Sequence, residues 1–330
     1  MATCDVRTLG AADAGALSSL LATARGVGPR IDRGADPFAH PLQSGQPIHV
    51  GAFQDGRLVA AAGAVPQIRH IGGRPCRTVY VFDVRVAPEA RGTFVLGRVL
   101  GALRSALAGE SWCHAVVFAE HPRAGALARG LRWFDAARLL GRTRHVAWPV
   151  FLDAPWRFRR AHVEEADPEE AATAYFDLAR SRDMSPADEC RLRAPGRFFV
   201  RRAGRRVVAV GKLVDEAPAR RILQDGAPPF GANVLGLIAR MRGFADLPGR
   251  GKPAALATLA WYASSDDDDP ARLAIAAAAT ARGATHVCYG VDASRPAPAH
   301  PFALHFVSHT IGYGAVPPAL AMNAHELTWM

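Results

Sequence analysis

The sequence predicts an α/β fold with mixed, mostly antiparallel sheets flanked by helices, arranged as two consecutive units of similar plan. Three observations support this. The run VYVFDVRV at Val79–Val86 alternates with a two-residue period and is followed by apolar residues at helical spacing. Glycine-containing turns separate other short alternating runs, which is typical of hairpins. After a polar, proline-containing stretch at residues 153–160, the same order of elements recurs.

Residues 1–152 are predicted to form the first unit. Asp55-Gly56 and Gly72-Gly73 are tight-turn signals, and each is flanked by strand-like runs. The segment from Gly26 to Gln46 has no clear period and is predicted to be a loop. The remaining predicted elements, in chain order, are a strand at Val6–Leu9, a helix at Ala11–Ala24, a helix ending near Ala108, a strand at His114–Ala119 and a final strand at Thr143–Phe151.

Residues 161–330 are predicted to repeat this plan as a divergent second unit, with residues 153–160 as the linker. Ala203-Gly204 predicts a hairpin, and Ala254–Tyr262 corresponds to the strand VYVFDVRV. The tail from Leu304 to Leu320 is predicted to contain a helix, then Gly-Tyr-Gly, then a strand. Four consecutive aspartates, Asp266–Asp269, precede a predicted helix; they favour a capped helix N-terminus over a metal site and would repel a pyrophosphate.

Composition narrows the compartment and the partners. Five cysteines are scattered without a C-x-x-C pair, so neither a zinc site nor a disulfide framework is predicted. No apolar run approaches the roughly 18–20 residues of a membrane span, and the N-terminus has no signal-peptide pattern. We therefore expect a cytoplasmic protein without membrane association or a metal, either monomeric or homodimeric.

The net charge of +10 comes almost entirely from arginine, since Lys212 and Lys252 are the only lysines. The arginines are dispersed and do not interleave with aromatic residues, which argues against nucleic-acid binding. A positive excess is compatible with a polyanionic small molecule.

The run VAPEARGTFVLG after the first alternating strand is the strongest functional signal. Pro88 ends the strand, and a short Arg-Gly turn leads into a helix. The N–H groups at such a helix N-terminus lack intrahelical partners and favour a phosphate or pyrophosphate. The alternative is an ordinary strand-loop-helix unit.

At Val86, Pro88, Arg91 and Gly92 this run resembles the acetyl-CoA-binding segment of the GCN5-related N-acetyltransferases (GNAT). The order of elements over residues 1–152 also resembles that family. The resemblance implies two tandem GNAT-like domains, of which the second has lost the cofactor-binding pattern. Phe94 and Leu96 depart from the pattern, because they stand where the family usually has small residues, and Gly97 comes one place late.

By this resemblance the cofactor is acetyl-CoA. The strand backbone would hold the pantetheine arm, the N–H groups of the turn would hold the pyrophosphate, and chain from Gly26–Gln46 would cover the acceptor. The cofactor-binding residues predicted in this way are Val84, Arg85, Val86, Arg91, Gly92, Thr93, Phe94, Val95, Leu96 and Gly97.

Acyl transfer to an amine also needs a group that accepts the amine proton and one that protonates the thiolate. Asp83 is the only carboxylate of the strand, and strict alternation places its side chain on the face opposite to that of Tyr80 unless a bulge changes its direction. Glu120 and His121 follow the next strand, where either a catalytic or a helix-capping role is open. Asp83, Tyr80, Glu120 and His121 are the candidate catalytic residues, whereas Ala128 stands where the family places a tyrosine acid.

The predicted function is acetyl-CoA-dependent N-acetyl transfer to an amine of a small molecule or a peptide. The alternative is a catalytically impaired GNAT-like protein that binds acyl-CoA or another ligand as a sensor or scaffold. The missing tyrosine and the altered glycine pattern favour that alternative.

Overall fold

The computed structural model describes residues 4–23, 30–32, 36–38, 46–107, 112–121, 137–152, 162–188, 192, 196–215, 221–223, 232–244, 255–265, 270–281, 284–296, 300 and 302–317. Within these residues the chain forms one twelve-stranded sheet with helices packed against it, and a separate pair of short strands. The fold is therefore a mixed α/β fold with a large sheet flanked by helices, as predicted.

The first half of the chain contributes these elements: β1 (Cys4–Thr8), α1 (Ala14–Ala22), β2 (Arg30–Asp32), β3 (Ile48–Gln54), β4 (Arg57–Ile71), β5 (Arg74–Val86), α2 (Val95–Ala106), β6 (Trp112–Phe118) and β7 (Ala137–Pro149). The second half contributes β8 (Val163–Ala166), α3 (Pro168–Ala179), β9 (Arg197–Ala203), β10 (Arg206–Asp215), β11 (Arg221–Leu223), α4 (Ala232–Met241), β12 (Leu256–Ser264), α5 (Pro270–Ala281), β13 (His286–Asp292) and β14 (Leu304–Gly314). Short 3-10 turns at Ala11–Asp13, Pro88–Ala90 and Val150–Leu152 connect some of them.

The strands of the large sheet lie in the order β1-β3-β4-β5-β6-β14-β7-β13-β12-β10-β9-β8, and β2 pairs separately with β11. Most neighbours are antiparallel; the parallel pairs are β5 with β6 and β12 with β13. Reading inward from either edge gives the same succession, so the two halves of the chain have the same strand plan around the central β14 and β7.

The two central strands belong to opposite halves of the chain. β7 pairs with β13 and β14, while β14 pairs with β6 and β7. The strand predicted to complete the first unit therefore borders the second half, and the last strand of the chain borders the first. The helix predicted within Leu304–Leu320 is wrong: Leu304–Gly314 is a strand, because its backbone is paired on both edges.

The register of the two halves coincides in detail. The hairpins β3–β4 and β9–β10 close at Gln54↔Arg57 and Ala203↔Arg206. Each then carries one extra residue at the same distance from the turn, Val59 in β4 and Val208 in β10. Because bulges are specific features of a strand pair, a shared bulge indicates a shared backbone design.

A second shared bulge lies on the fourth strand of each plan. In β5 it falls at Asp83, with φ of 48°, and in β12 at Trp261, with φ of 49°. A non-glycine residue in this conformation is uncommon and persists only where the surroundings hold it.

Within the described residues, three large apolar cores and one small cluster lie on the sheet. The first core packs α1 and α2 against β3, β4 and β5 and includes Leu17, Leu20, Val99 and Leu103. The second packs α5 against β10, β12 and β13, and the third packs α3 against β9, β10 and β12. The small cluster contains Tyr80 and Phe82. The boundary proposed at residues 153–160 lies outside the described residues, and the division into two domains stays a prediction.

Candidate active site

The first-half site begins where β5 and β6 separate. The two parallel strands pair only at Val79–Val81 with Cys113–Ala115. Beyond this, β5 continues to Val86 along β4, and β6 continues to Phe118 along β14. The gap between Val81–Val86 and Ala115–Phe118, here called the wedge, is bordered by two strand edges that do not pair with each other. Such edges can hydrogen-bond an extended ligand.

The bulge at Asp83 determines which β5 side chains lie on each face of the sheet. Val79 and Val81 pack in one apolar core with α2, and after the bulge Val84 and Val86 pack against that same core. The alternation along β5 is therefore reversed across Asp83, and Arg85 lies on the same face as Phe82. That face, which carries Tyr80 and Phe82 and lies opposite Val81 and α2, is called the open face below. Asp83 is half-buried at the bulge, with one carboxylate oxygen inaccessible to solvent.

The loop after β5 prepares the N-terminus of α2. Pro88–Ala90 forms a 3-10 turn, and Gly92 follows with φ of 83°, a left-handed conformation that glycine adopts readily. The Thr93 hydroxyl donates to the Ala90 carbonyl at 2.7 Å and accepts from the Val95 N–H at 3.4 Å. These contacts hold the turn in place.

The backbone bond from the Arg98 N–H to the Phe94 carbonyl, at 3.2 Å, closes the first turn of α2. The N–H groups of Leu96 and Gly97 precede it, so helix geometry leaves them without intrahelical acceptors. Together with the positive end of the helix dipole they favour an anion at this position.

The two large residues of the loop are placed in different surroundings. The Phe94 side chain is 83% exposed, while Leu96 packs against the core beneath α2. Arg91 is exposed, and its Nε lies 3.5 Å from the Val86 carbonyl oxygen. The exposed guanidinium of Arg91 therefore lies beside the end of β5 and close to the start of α2.

Six rings form a continuous row on the open face: Phe38, His49, Phe82, Tyr80, His114 and Trp112. Their neighbouring centroids are 5.1, 5.3, 5.7, 5.5 and 5.8 Å apart in that order. Gly63, on β4 between His49 and Phe82, makes part of this row possible. A Cβ at Gly63 would lie 2.8 Å from the Phe82 ring and 3.1 Å from His49.

His114 is a site residue that sequence reasoning missed, although a histidine opening the apolar strand HAVVFA was a visible signal. It pairs in register with Tyr80 and is fully buried, with Nδ1 3.3 Å from the Thr78 hydroxyl. Burial, aided by the charge of Arg69, holds its pKa well below the usual value. The imidazole is therefore neutral at physiological pH and is a hydrogen-bonding group rather than a cation.

The candidate residues Glu120 and His121 lie just past the end of β6, on the far side of the wedge from Asp83. Glu120 is exposed, and the His121 N–H donates to the Phe118 carbonyl at 3.0 Å. His309 of β14, also missed by sequence reasoning, pairs with Val117. Burial and Arg142 lower the pKa of His309, and Glu120 raises it.

The structure thus brings Tyr80 together with Phe82 and His114, and places the other candidates on the two rims of the wedge. Ala128 lies outside the described residues. Cys113 is buried, which raises the pKa of its thiol to about 12 and makes it a core residue rather than a nucleophile. No group of three metal-ligating side chains occurs in the described parts of the chain.

The second half has a corresponding separation of strands, because β12 and β13 pair only at Leu256–Thr258 with His286–Cys288. Its side chains differ. The cross-strand set His49, Gly63 and Phe82 is replaced in register by the following residues: Phe198, Lys212 and Ala260. In the first half the large side chain, Phe82, is on β5, whereas in the second half the large side chain, Lys212, is on β10, the neighbour of β12. Asp266–Asp269, predicted to precede the helix here, lie outside the described residues.

Lys212 is almost fully buried, at 2% exposure. Its Nζ donates to the Leu192 carbonyl at 2.9 Å and lies 5.1 Å from the Phe198 ring centroid. Burial lowers its pKa to about 8. Lys212 therefore places a charged side chain where the first half has Gly63 beneath the Phe82 ring.

Comparison with known proteins agrees with this geometry. Residues 6–123 match the model of the acetyltransferase (GNAT) domain family, a span that contains β1 to β6, the loop and α2. This part of the chain is a GNAT domain. No curated protein matches the chain.

Solved structures resemble the chain over nearly its whole length. A GCN5-related N-acetyltransferase from Kribbella flavida has a TM-score of 0.50 at 14% identity, over 94% of this chain and 71% of that one. The Saccharomyces cerevisiae N-myristoyltransferase with bound myristoyl-CoA has a TM-score of 0.56 at 11% identity, over 98% of this chain and 83% of that one. The N-acyltransferase fold therefore extends beyond the GNAT domain. Within the described residues, no helix is long and apolar enough to span a bilayer.

Proposed function

We propose that this protein is an N-acyltransferase that moves an acetyl group from acetyl-CoA to an amine of a small molecule or a peptide. The observation that carries the proposal is the wedge between β5 and β6, with a bulge at Asp83 and a helix N-terminus at its wide end, within a GNAT domain. A strand edge for an amide-containing arm and an anion site for a pyrophosphate are what coenzyme A requires.

In the proposed complex, the backbone of Val84–Val86 holds the pantetheine arm. The N–H groups of the loop from Arg91 to Gly97 hold the pyrophosphate, and Arg91 adds a positive charge. The 83% exposure of Phe94 is compatible with backbone approach, because its ring extends into solvent. The second domain, with Lys212 and Ala260 at the corresponding positions, is proposed to have a structural role.

In the reaction, the amine nitrogen forms a bond to the thioester carbonyl carbon and the C–S bond breaks. The amine loses one proton and the departing thiolate gains one. Asp83 on the β5 rim and Glu120 or His121 on the β6 rim are proposed to accept the amine proton, directly or through water. Tyr80 is proposed to supply a proton on the open face. The acceptor enters from that face, which lies opposite α2, the helix whose N-terminus is proposed to hold the pyrophosphate.

The reducing cytoplasm is the proposed location. The described cysteines Cys4, Cys76, Cys113 and Cys288 are free thiols, which is compatible with it.

Thermal-shift titration with acetyl-CoA tests the cofactor site. A ligand at 100 times its dissociation constant adds about 2.7 kcal/mol to the free energy of unfolding. We expect stabilisation of the wild type that Arg91→Glu abolishes. Arg104→Glu, the same charge change in the last turn of α2, is the matched control and should retain it. No stabilisation of the wild type at millimolar acetyl-CoA would contradict the proposal.

Release of free thiol from acetyl-CoA, measured against a panel of amines, then separates an enzyme from a binding protein. Amine-dependent thiol release supports acyl transfer. Stabilisation by acetyl-CoA without thiol release would favour the sensor or scaffold function, for which the absence of the family's tyrosine at Ala128 is the supporting observation.

A further inference from the structure

We propose that Phe82, held in place by Tyr80 and His49, restricts the acyl donor of this site to short chains. The inference rests on the proposed function, because it assumes that a coenzyme A thioester lies in the wedge. It goes further by naming the side chain that selects among acyl groups.

The direction of the ligand follows from the shape of the wedge. The anion site at the start of α2 lies at its wide end, after Val86, whereas the strands meet at Val81 and Ala115. A thioester whose pyrophosphate is bound at the wide end therefore has its acyl group toward the narrow end. The face of β5 opposite Phe82 is filled by the core that contains Val81 and, from α2, Val99, so the acyl group emerges on the open face.

The open face is occupied at that point. Tyr80 and Phe82 are 4% and 6% exposed and pack in one cluster with Val65 and Val116. Val116 follows Ala115, the last β6 residue paired with β5. An acyl chain that leaves the narrow end of the wedge thus meets the Phe82 and Tyr80 rings.

The Phe82 ring is prevented from moving aside. Tyr80 stacks on it at 5.7 Å with an interplanar angle of 21°, and His49 packs edge-on at 5.3 Å. Beneath it, Gly63 leaves no space, because even a Cβ there would be 2.8 Å from the ring. Tyr80 is in turn backed by His114. Rotation of Phe82 would require several of these contacts to break together.

The second half shows that the fold itself does not need these rings. The register positions of Tyr80 and Phe82 are occupied there by Thr258 and Ala260, on a strand with the same bulge. Large aromatic residues at the narrow end are therefore a property of the proposed cofactor site and not of the backbone design.

Calorimetric titration of the full chain with CoA, acetyl-CoA and hexanoyl-CoA tests the restriction without knowledge of the acceptor. We expect the wild type to bind hexanoyl-CoA at least about tenfold more weakly than acetyl-CoA, since each excess methylene meets a filled site. Phe82→Ala should tighten hexanoyl-CoA binding at least about tenfold and leave the Kd of CoA unchanged. Phe53→Ala is the matched control, because Phe53 lies beside the β3–β4 turn under the Arg7 guanidinium and does not border the wedge, and it should not change the ratio.

Phe82→Leu keeps most of the apolar contacts and provides the measurement if Phe82→Ala does not fold; it should give a smaller shift in the same direction. Equal affinity of the wild type for acetyl-CoA and hexanoyl-CoA would overturn the restriction while leaving the coenzyme A site intact. Unchanged hexanoyl-CoA affinity in a folded Phe82 variant would do the same. Failure of all three ligands to bind would reject the proposed function, and this inference with it.

Discussion

Replacing the buried Lys212 with methionine should change how stability depends on pH. Methionine has a similar length and no charge, so Lys212→Met keeps most of the packing against Phe198 while removing a titrating group. The Leu192 carbonyl loses its donor, which lowers the stability of the variant by an amount that does not vary with pH.

The magnitude follows from the pKa. Burial lowers it from 10.5 to about 8, and at about 1.36 kcal/mol per unit this disfavours the charged form in the folded state by about 3 kcal/mol. Below pH 8 the amine is protonated in both states, so the penalty is constant. Between pH 8 and 10.5 the unfolded state binds more protons than the folded one, so the stability of the wild type rises with pH.

Denaturation with guanidinium chloride, followed by circular dichroism between pH 7 and pH 10, measures this. The difference in unfolding free energy, Lys212→Met minus wild type, should fall by about 2 kcal/mol or more over that range. Other groups that titrate cancel in the difference. Lys252→Met, which removes the only other lysine, controls for the change in net charge.

Parallel pH profiles for the wild type and Lys212→Met would refute the reasoning. They would show that the ammonium group is as well solvated in the folded protein as in the unfolded chain, in conflict with its 2% exposure.

Three further predictions test local parts of the structure. Gly63→Ala should lower the free energy of unfolding by about 1–3 kcal/mol in chemical denaturation, because its Cβ would overlap the Phe82 ring. Gly101→Ala should instead raise it by up to about 1 kcal/mol, because the position lies inside α2 and a Cβ there would meet nothing within 4 Å. A change of the same sign in both variants would contradict the packing argument. Asp167 caps α3 with its side chain, so Asp167→Ala should cost about 1 kcal/mol in urea denaturation, and no loss would show that the cap is dispensable. The Arg7 guanidinium is the main reason that the pKa of Asp13 is about 2, so Arg7→Met should raise that pKa toward 3.8 in an NMR titration. The stability that Asp13 contributes is complete above pH 3.8 and is lost as the pH falls toward 2. An unchanged Asp13 pKa in the variant would exclude the ion pair as the cause of the low value.

Local chemistry accounts for what the sequence predicted well. The turns at Asp55-Gly56 and Gly72-Gly73, the strand at Val79–Val86 and the helix after it all follow from side-chain periodicity and backbone preferences within a few residues. The loop with Gly92 in the left-handed conformation belongs to the same category. These features are enough to place the candidate cofactor site and its domain family.

Long-range packing decided the remainder. Leu304–Gly314 was predicted in part as helix, yet it is a strand because β6 and β7 pair with its two edges. The reversal of side-chain alternation across Asp83 depends on a bulge, which is visible only when β5 is registered against β4. The role of His114 likewise emerged from its position opposite Tyr80 on a strand distant in sequence.

Near neighbours along the chain are enough to predict the elements of the first half, the loop at the start of α2 and the resemblance to a known fold. Three features needed the folded chain: β7 and β14 border the opposite halves, β5 and β6 separate after three pairs, and Gly63 allows the His49 and Phe82 rings to meet above it. Strand register and ring packing are set by partners far apart in sequence, so no local pattern predicts them. The wedge and the row of rings on its open face are therefore properties of the folded sheet.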